Sequence, residues 1–217
     1  SLDEVEPGSS LEQSLQRIIR AGNRGRGLIH QVLLFSQQIS LQTSPIHMRS
    51  AVAEQLDKLE LTLPIDIELR TSLTGQGSVL ASEIEIEQLV ANLVNNAQYA
   101  MAEKGGGLTL ELVDIVVDDT LVSLHQKLQP GRYVRLVVRD EGCGIDSIAL
   151  EHIFKPFFTT KPRGFGTGMG LAVVEGVVRR RSGMVMVDST VGQGTTFTIY
   201  LPALPLDETA ASLRHTP

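Results

Sequence analysis

The segment from Asp140 to Leu171 constrains the fold of this chain more than any other, because two glycine-rich runs flank an apolar stretch within it. Residues 140–145 read DEGCGI and residues 164–171 read GFGTGMGL. Four of the six phenylalanines of the chain fall in the same segment, beside the sequence TTK at 159–161. Glycine lets a backbone approach a ligand closely. The segment therefore predicts a nucleotide site closed by a hinged, apolar lid.

The second glycine run favours binding of a phosphate through the backbone. It contains no Gly-Lys-Ser/Thr and lacks the spacing of a dinucleotide fingerprint. Its alternating glycines lead directly into an amphipathic helix, predicted from Met169 to Arg181. The N–H groups and positive end of that helix would face a phosphate without a basic patch. The alternative is a loop that binds nothing.

Charge and cysteine content exclude several other classes of protein. The net charge of −6 argues against a general grip on nucleic acid, and one cysteine excludes an intramolecular disulfide framework or a multi-cysteine metal cluster. No apolar run reaches the roughly 18 residues that would span a bilayer. We expect a cytoplasmic fragment without membrane contact, which is compatible with a membrane anchor elsewhere in a longer protein.

Local patterns predict an α+β domain. Ser82 is a predicted N-cap with Glu83 and Glu85 in the first turn of a helix that runs to about Glu103. The apolar face of this helix is predicted to begin at Ile84. Other segments predict a helix over 46–63, a strand over 65–70, a short strand over 78–80, strands over 108–117 and 133–140, a helix over 147–154, and a hairpin from 183–188 and 195–201.

The N-terminal region predicts a long helix from Leu11 to about residue 42. Its apolar stripe is broad, so it needs a partner helix; the alternative is a helix that lies on its own domain. Gly22, Gly25 and Gly27 each cost about 1 kcal/mol relative to alanine there. From residue 203 the chain lacks periodicity, and we expect a flexible tail.

Asn92 and Asn96 lie one helical turn apart in the predicted helix and so share a face. Buried amides need hydrogen-bond partners, and bonds from helix to loop would supply them. Alternatively, an amide oxygen completes the shell of a magnesium ion that phosphates already hold, since this ion keeps its waters and takes few protein ligands.

Asp140 ends a predicted strand and is followed by Gly142 and Gly144. This pattern suits a hairpin turn. It also suits a base-binding site, in which the glycines let a flat ring lie against the backbone. A fixed carboxylate there accepts a hydrogen from the exocyclic amino group of adenine, which guanine does not offer in that position.

Five motifs together resemble the N, G1, F, G2 and G3 boxes of sensor histidine kinases, in the order of that family. They are residues 87–97 (EQLVANLVNNA), 140–145 (DEGCGI), 153–161 (IFKPFFTTK), 166–171 (GTGMGL) and 192–197 (GQGTTF). The resemblance covers about residues 45–202. It implies a two-layer α/β sandwich of the Bergerat ATP-binding type, which has a mixed sheet with helices on one face and an ATP lid.

The resemblance implies ATP and Mg²⁺ as cofactors and assigns roles to single residues. Asn96 would ligate magnesium, Asn92 would lie near the phosphates as the second catalytic residue, and Asp140 would read adenine. The full nucleotide-binding set that it implies is Asn96, Asp140, Gly142, Gly144, Ile145, Phe158, Lys161, Gly166, Thr167, Gly168, Met169, Gly170, Leu171 and Thr195.

One position favours transfer to a protein over hydrolysis. Hydrolysing relatives carry a glutamate base one turn before the magnesium asparagine, and this chain has Asn92 there. Two positions depart from the histidine kinase pattern. Tyr99 replaces a residue that is often polar, which puts one phosphate contact in doubt, and Met169 stands where leucine is common.

Residues 9–42 resemble the second helix of the dimerisation and phosphotransfer hairpin of the same family. We expect the first helix, with its acceptor histidine, before Ser1, because none of the five histidines is followed by an acidic residue. The predicted domains are 1–44 (partial dimerisation region), 45–202 (ATP-binding catalytic domain) and 203–217 (tail). Expected partners are a response regulator receiver domain, an acceptor histidine on a missing helix or a partner protomer, and a second copy of the chain.

Three other functions stay open at the level of sequence. A degenerate, non-catalytic module would dimerise and dock a response regulator. A hydrolysing ATPase is disfavoured by Asn92. A serine or anti-sigma-factor kinase is disfavoured by the helix over 9–42.

Overall fold

The computed structural model describes residues 42–124, 128–162 and 166–205. The predicted helix from Leu11, with its three glycines, and the tail from residue 206 onward lie outside them. The chain divides into two units, and all the elements named here belong to one of them. The strands are β1 (Ser44–His47), β2 (Ile67–Leu73), β3 (Ser78–Ala81), β4 (Gly106–Val117), β5 (Gly131–Asp140), β6 (Met184–Thr190) and β7 (Gly194–Pro202). The helices are α1 (Met48–Glu60), α2 (Glu83–Ala100), α3 (Asp119–Leu124), α4 (Ser147–Leu150) and α5 (Gly170–Arg180).

A mixed five-stranded sheet in the order β2-β4-β5-β7-β6 forms one layer. β2 and β4 are parallel, and the other neighbours are antiparallel. The C-terminal residue of β5, Asp140, pairs with Leu108 of β4 and Thr195 of β7. β1 and β3 form a separate antiparallel pair. The C-terminal end of β5 therefore lies between the N-terminal ends of β4 and β7.

The main core lies between this sheet and three helices. Alternate residues of the central strands, such as Leu110, Leu136 and Ile199, are buried in one cluster with residues of α1, α2 and α5. Strand side chains alternate between faces, so the opposite face carries a smaller cluster around Tyr133 and Tyr200. The predicted two-layer α/β sandwich with a mixed sheet is confirmed.

Several predicted boundaries were wrong. Residues 46 and 47 belong to β1, because they pair with β3 instead of starting a helix. The strand predicted from residue 65 begins at Ile67, whose N–H donates to the Pro64 carbonyl in a turn that leaves Ile65 exposed. The helix predicted over 147–154 ends at Leu150, and the connection over 118–131 contains α3.

The start of α2 also differs from the prediction in one respect. Ser82 is the N-cap, as predicted, and a capping box with Glu85 closes the first turn. The buried stripe begins at Ile86, however, while Ile84 is exposed. Glu85 is buried in its place, and the helix ends at Ala100, before the predicted residue 103.

Candidate nucleotide-binding site

Asp140 is a buried carboxylate at the end of β5. Its side chain is 5% exposed, and Oδ1 accepts a hydrogen bond of 2.9 Å from the Gly142 N–H. Burial raises the pKa of Asp140, while hydrogen bonds from the backbones of Gly142 and Thr195 oppose that rise. The carboxylate is therefore a fixed acceptor in apolar surroundings, as a site that reads a donor group requires.

The loop after Asp140 packs against the C-terminal end of α2. A Cβ on Gly142 would lie 2.6 Å from the Cβ of Ala100, so only glycine fits this approach. The N–H of Cys143 donates to the Ala100 carbonyl at 3.0 Å. Gly144 lies against the backbone of Thr190 on the other side. The predicted loop glycines thus wedge between α2 and β6 and hold the loop in one place.

Ser189 at the end of β6 is a site residue that the sequence analysis missed. Its Oγ accepts from the N–H of Ile145 at 2.8 Å and donates to the Gly194 carbonyl at 3.0 Å. The same oxygen lies 2.9 Å from Oγ1 of Thr195, which is buried. Ser189 therefore joins the glycine loop to the final hairpin. The signal available in the sequence was its place opposite Thr195 in that hairpin.

Asn92 and Asn96 lie in the middle of α2 and are both half-buried, whereas Asn95 is exposed. The Nδ2 of Asn92 donates to the Gln88 carbonyl at 2.8 Å. The amide oxygen of Asn92 then faces the first residue of α5, because a Cβ on Gly170 would lie 2.9 Å from Oδ1. The local hydrogen bond accounts for the amide nitrogen of Asn92 but not for its oxygen.

The approach to α5 contains two residues with left-handed backbone. Gly168 has φ of +67°, and a Cβ there would collide with the backbone of Phe157. Phe157 itself has φ of +68° although it is 65% exposed. Such strain in a bulky residue persists only where the surrounding structure holds it, and it concentrates at functional sites. The two backbones fix the path by which the chain enters α5.

The remaining predicted residues of this region fall into two groups. Phe158 stacks edge-on against His152 at 5.6 Å, Met169 is buried, and Leu171 packs against the core. Lys161, Gly166 and Thr167 lie in the segment 161–167, which belongs to the other unit of the chain. Burial lowers the pKa of Lys161. Nucleotide binding by these three residues stays a prediction.

The donor set of this site suits a metal ion that is mostly held by phosphates. Within residues 42–124, 128–162 and 166–205, no group of three or more His, Cys, Asp or Glu side chains is arranged to hold a metal. The amide oxygen of Asn92 on α2 lies next to the start of α5. A magnesium ion, which keeps several waters and uses few protein ligands, fits this chemistry.

The family model described as histidine kinase-, DNA gyrase B-, and HSP90-like ATPase matches residues 81–205. That range contains α2, the glycine loops and the final hairpin. The chain belongs to this family. Domains of this family bind ATP, so ATP is the nucleotide expected for this domain. No helix among the described residues is long and apolar enough to cross a membrane.

Curated relatives of this chain are sensor kinases, which confirms the resemblance seen in the sequence. Sensor kinase CckA of Brucella abortus is 36% identical over 88% of this chain and 20% of its own length. Two-component sensor PprA of Pseudomonas aeruginosa is 32% identical over 90% of the chain and 20% of its own. Sensor histidine kinase ZraS of Escherichia coli K12 is 28% identical over 90% and 38%. The chain thus spans well under half of these relatives.

Solved structures give the same fold. The mycobacterial sensor histidine kinase MprB is 26% identical with a TM-score of 0.59, and the match covers 76% of this chain and 99% of that one. Full-length ShkA in complex with AMPPNP has a TM-score of 0.68 at 23% identity, over 93% of this chain and 41% of ShkA. The mixed sheet and its helix layer are therefore shared with histidine kinase structures.

Proposed function

We propose that this chain is the catalytic ATP-binding part of a sensor histidine kinase. It binds Mg-ATP and transfers the γ-phosphoryl group to a histidine outside this chain, for relay to the receiver domain of a response regulator. One observation carries the proposal: the side chain of α2 that meets the start of α5 is the amide of Asn92. An amide does not act as a general base toward water, and glutamate would stand here in a hydrolysing relative.

Adenine binding is the role of the sheet end of the site. Asp140 accepts a hydrogen from the exocyclic amino group, and the glycine loop anchored by Ser189 lies beside the ring. The buried carboxylate needs no rearrangement to make this bond, because Gly142 and Thr195 already orient it. Fixed acceptors of this kind favour specificity, since a ligand without the matching donor leaves them unpaired.

Phosphate binding is the role of the helix end. α5 begins at Gly170, beside Asn92, and the unpaired N–H groups and positive dipole at the start of a helix favour a triphosphate. Asn96 would hold a magnesium ion beside the phosphates, and the ion would offset their charge. Asn92 holds its orientation through the Gln88 carbonyl. The γ-phosphoryl group is then presented to a histidine nitrogen, while ADP leaves.

The parts outside the ATP-binding domain complete the proposal. Residues 1–44 form part of the dimerisation and phosphotransfer region, and the chain acts as a homodimer through it. No histidine in the chain precedes an acidic residue. The chain alone is therefore expected to bind ATP but not to autophosphorylate.

The decisive experiment uses labelled ATP and magnesium with a longer chain that includes the expected acceptor helix. Acid-labile, alkali-stable label should appear on the protein. Asn96→Ala should abolish it, whereas the matched variant Asn95→Ala, which alters the exposed neighbour, should not. Absence of such label in the longer chain refutes the kinase function, as does equal labelling of both variants.

The alternative of a non-catalytic docking scaffold is disfavoured, because the ATPase family model covers residues 81–205, which include every residue proposed for nucleotide binding. A scaffold of that kind requires no nucleotide. Calorimetric titration of this chain with Mg-ATP separates the two functions: binding supports the kinase, and its absence supports the scaffold.

A further inference from the structure

Glu85, in the first turn of α2, is a carboxylate that the ATP site itself does not use. It is 1% exposed, and burial of an ion is costly unless it is paired. Two arginines at the end of α5 pair with it. Arg181 approaches as a fork, with Nε at 3.0 Å from Oε2 and Nη2 at 2.9 Å from Oε1, and Arg180 Nε lies 3.3 Å from Oε1.

The same carboxylate also closes the capping box of α2, since Oε2 accepts from the Ser82 N–H at 3.0 Å. Burial raises the pKa of Glu85, but the hydrogen bonds from Arg181 and Ser82 and the charges of both arginines outweigh it, so the pKa lies below its ordinary value. Glu85 is thus an ion at ordinary pH, and it joins the beginning of α2 to the end of α5.

The contact between Glu85 and Arg181 is one of two that define how these helices lie together. At the other end, Gly170 meets Asn92. The helices are therefore antiparallel, and the seven residues from Glu85 to Asn92 separate the ion cluster from the site by about 10 Å. Between the two ends, the helices share a core of apolar side chains, among them Leu89, Leu93, Val174 and Val177.

The apolar packing and the ion pair between α2 and α5 differ in how strongly they resist sliding of one helix along the other. Apolar packing is non-directional, so it tolerates a small slide of one helix along another more readily than a forked ion pair does. A helix is stiff along its axis because hydrogen bonds run along it. A slide at Arg181 is therefore transmitted to Gly170.

We propose that Glu85 and Arg181 are positioning residues for the triphosphate: they fix the axial register of α5 against α2. The register places the first residues of α5, from Gly170, against Asn92. Asp140, Ser189 and Thr195 belong to the sheet, so adenine binding does not depend on it. This inference rests on the proposed function, because the triphosphate is taken to lie at the start of α5.

The test compares Glu85→Gln with wild type in two titrations, one with adenosine and one with Mg-ATP. The substitution keeps the shape of the side chain and removes its charge. Adenosine affinity should change less than about twofold, while Mg-ATP affinity should fall about tenfold or more, since small misplacements of bound groups carry effects of this size. Arg181→Lys, which keeps the charge but loses the fork, should show the same selective loss.

A second variant pair separates position from stability. In Glu85→Gln, the guanidinium of Arg181 loses its charged partner. Adding Arg181→Met removes that guanidinium, so the double variant should melt at a higher temperature than Glu85→Gln, while its Mg-ATP affinity stays low. Glu54→Gln is the matched control, because this exposed carboxylate pairs with Lys58 on α1 at 2.9 Å, outside the helix pair. It should alter neither affinity.

Amide exchange gives a readout that needs no nucleotide. The N–H of Val173, in the first turn of α5, donates to the Met169 carbonyl at 2.9 Å. It should exchange faster in Glu85→Gln than in wild type or Glu54→Gln. Unchanged exchange at Val173 overturns the inference, as does a parallel loss of adenosine and Mg-ATP affinity. Failure of wild type to bind Mg-ATP refutes the proposed function instead, and the exchange result still decides the register.

Discussion

Asp140→Asn separates the ligand-binding role of a buried carboxylate from its effect on folding. The substitution removes the negative charge that would accept the adenine amino hydrogen and presents a neutral amide. A hydrogen bond to a charged group is worth about 1.5–3 kcal/mol. Since 1.4 kcal/mol is about tenfold in affinity, ATP should bind roughly 10- to 150-fold more weakly.

The same substitution should leave the stability of the free protein almost unchanged. Burial raises the pKa of Asp140 above the value of 3.8 for a free carboxyl. The folded state therefore binds this proton more tightly than the unfolded state does. The resulting stabilisation is complete below pH 3.8 and is lost as the pH rises through the raised pKa. At neutral pH the ionised group opposes folding, and the amide oxygen still accepts from Gly142.

Calorimetric titration with Mg-ATP and thermal unfolding at neutral pH test both statements. The control is Asp114→Asn, because Asp114 is an exposed carboxylate that accepts from two backbone amides, Gln76 N at 2.8 Å and Gly77 N at 3.0 Å. It should lose about 0.5–1.5 kcal/mol of stability and no ATP affinity. Unaltered ATP affinity in Asp140→Asn would refute the assignment of Asp140 to adenine. A loss of several kcal/mol of stability would show that the sign of the pKa argument is wrong.

Three further substitutions probe the rest of the site. Gly168→Ala places a Cβ against the Phe157 backbone, so it should destabilise the protein by more than the roughly 1–3 kcal/mol of backbone strain alone. Gly192→Ala is the control, because Gly192 has φ of +80° but a Cβ there would meet nothing within 4 Å. Thermal unfolding of this control measures the cost of the strain by itself. Ser189→Ala leaves the Ile145 N–H without its acceptor, so it should cost about 1–3 kcal/mol and weaken adenosine binding; equal adenosine affinity would remove Ser189 from the site. Asn92→Glu should raise phosphate release from ATP measured without a protein acceptor, because it supplies a base, and no rise would contradict the role given to this position.

The elements that the sequence predicted well are those with a strong local signal. The apolar alternation that ends at Asp140, the cap at Ser82 and the glycine turn of the final hairpin are each decided by neighbours within a few residues. The motif order then identified Asn92 and Asp140 as site residues, and the structure places both beside the glycines that the sequence singled out. Local periodicity and spaced motifs thus sufficed for the core of the fold and for the family, whereas the roles of Asn92 and Asp140 in nucleotide binding stay predictions.

Residues whose partners are far away in the chain were predicted wrongly or missed. Glu85 was predicted only as an acidic residue of the first helical turn, but it is buried because Arg181 lies against it, 96 positions later. Ser189 lies 44 positions from Ile145, and its hydroxyl accepts a hydrogen bond from the Ile145 N–H. Ile84 was assigned to the apolar face, but it is exposed. Glu85 is buried instead, where it pairs with Arg180 and Arg181. Sequence periodicity carries no information on such pairs.

Helix α2 is the element that the two halves of the site share. Its end receives the adenine loop at Ala100, and its middle meets the start of α5 at Asn92. In contrast, the start of α5 meets Asn92 in the proposed phosphate half, and Ser189 lies in the proposed adenine half. A displacement of α2 should therefore weaken adenosine and triphosphate binding together, whereas a displacement of α5 should affect the phosphates alone. The ion pair of Arg181 with Glu85 acts on the position of α5 along α2, so its loss belongs to the second case.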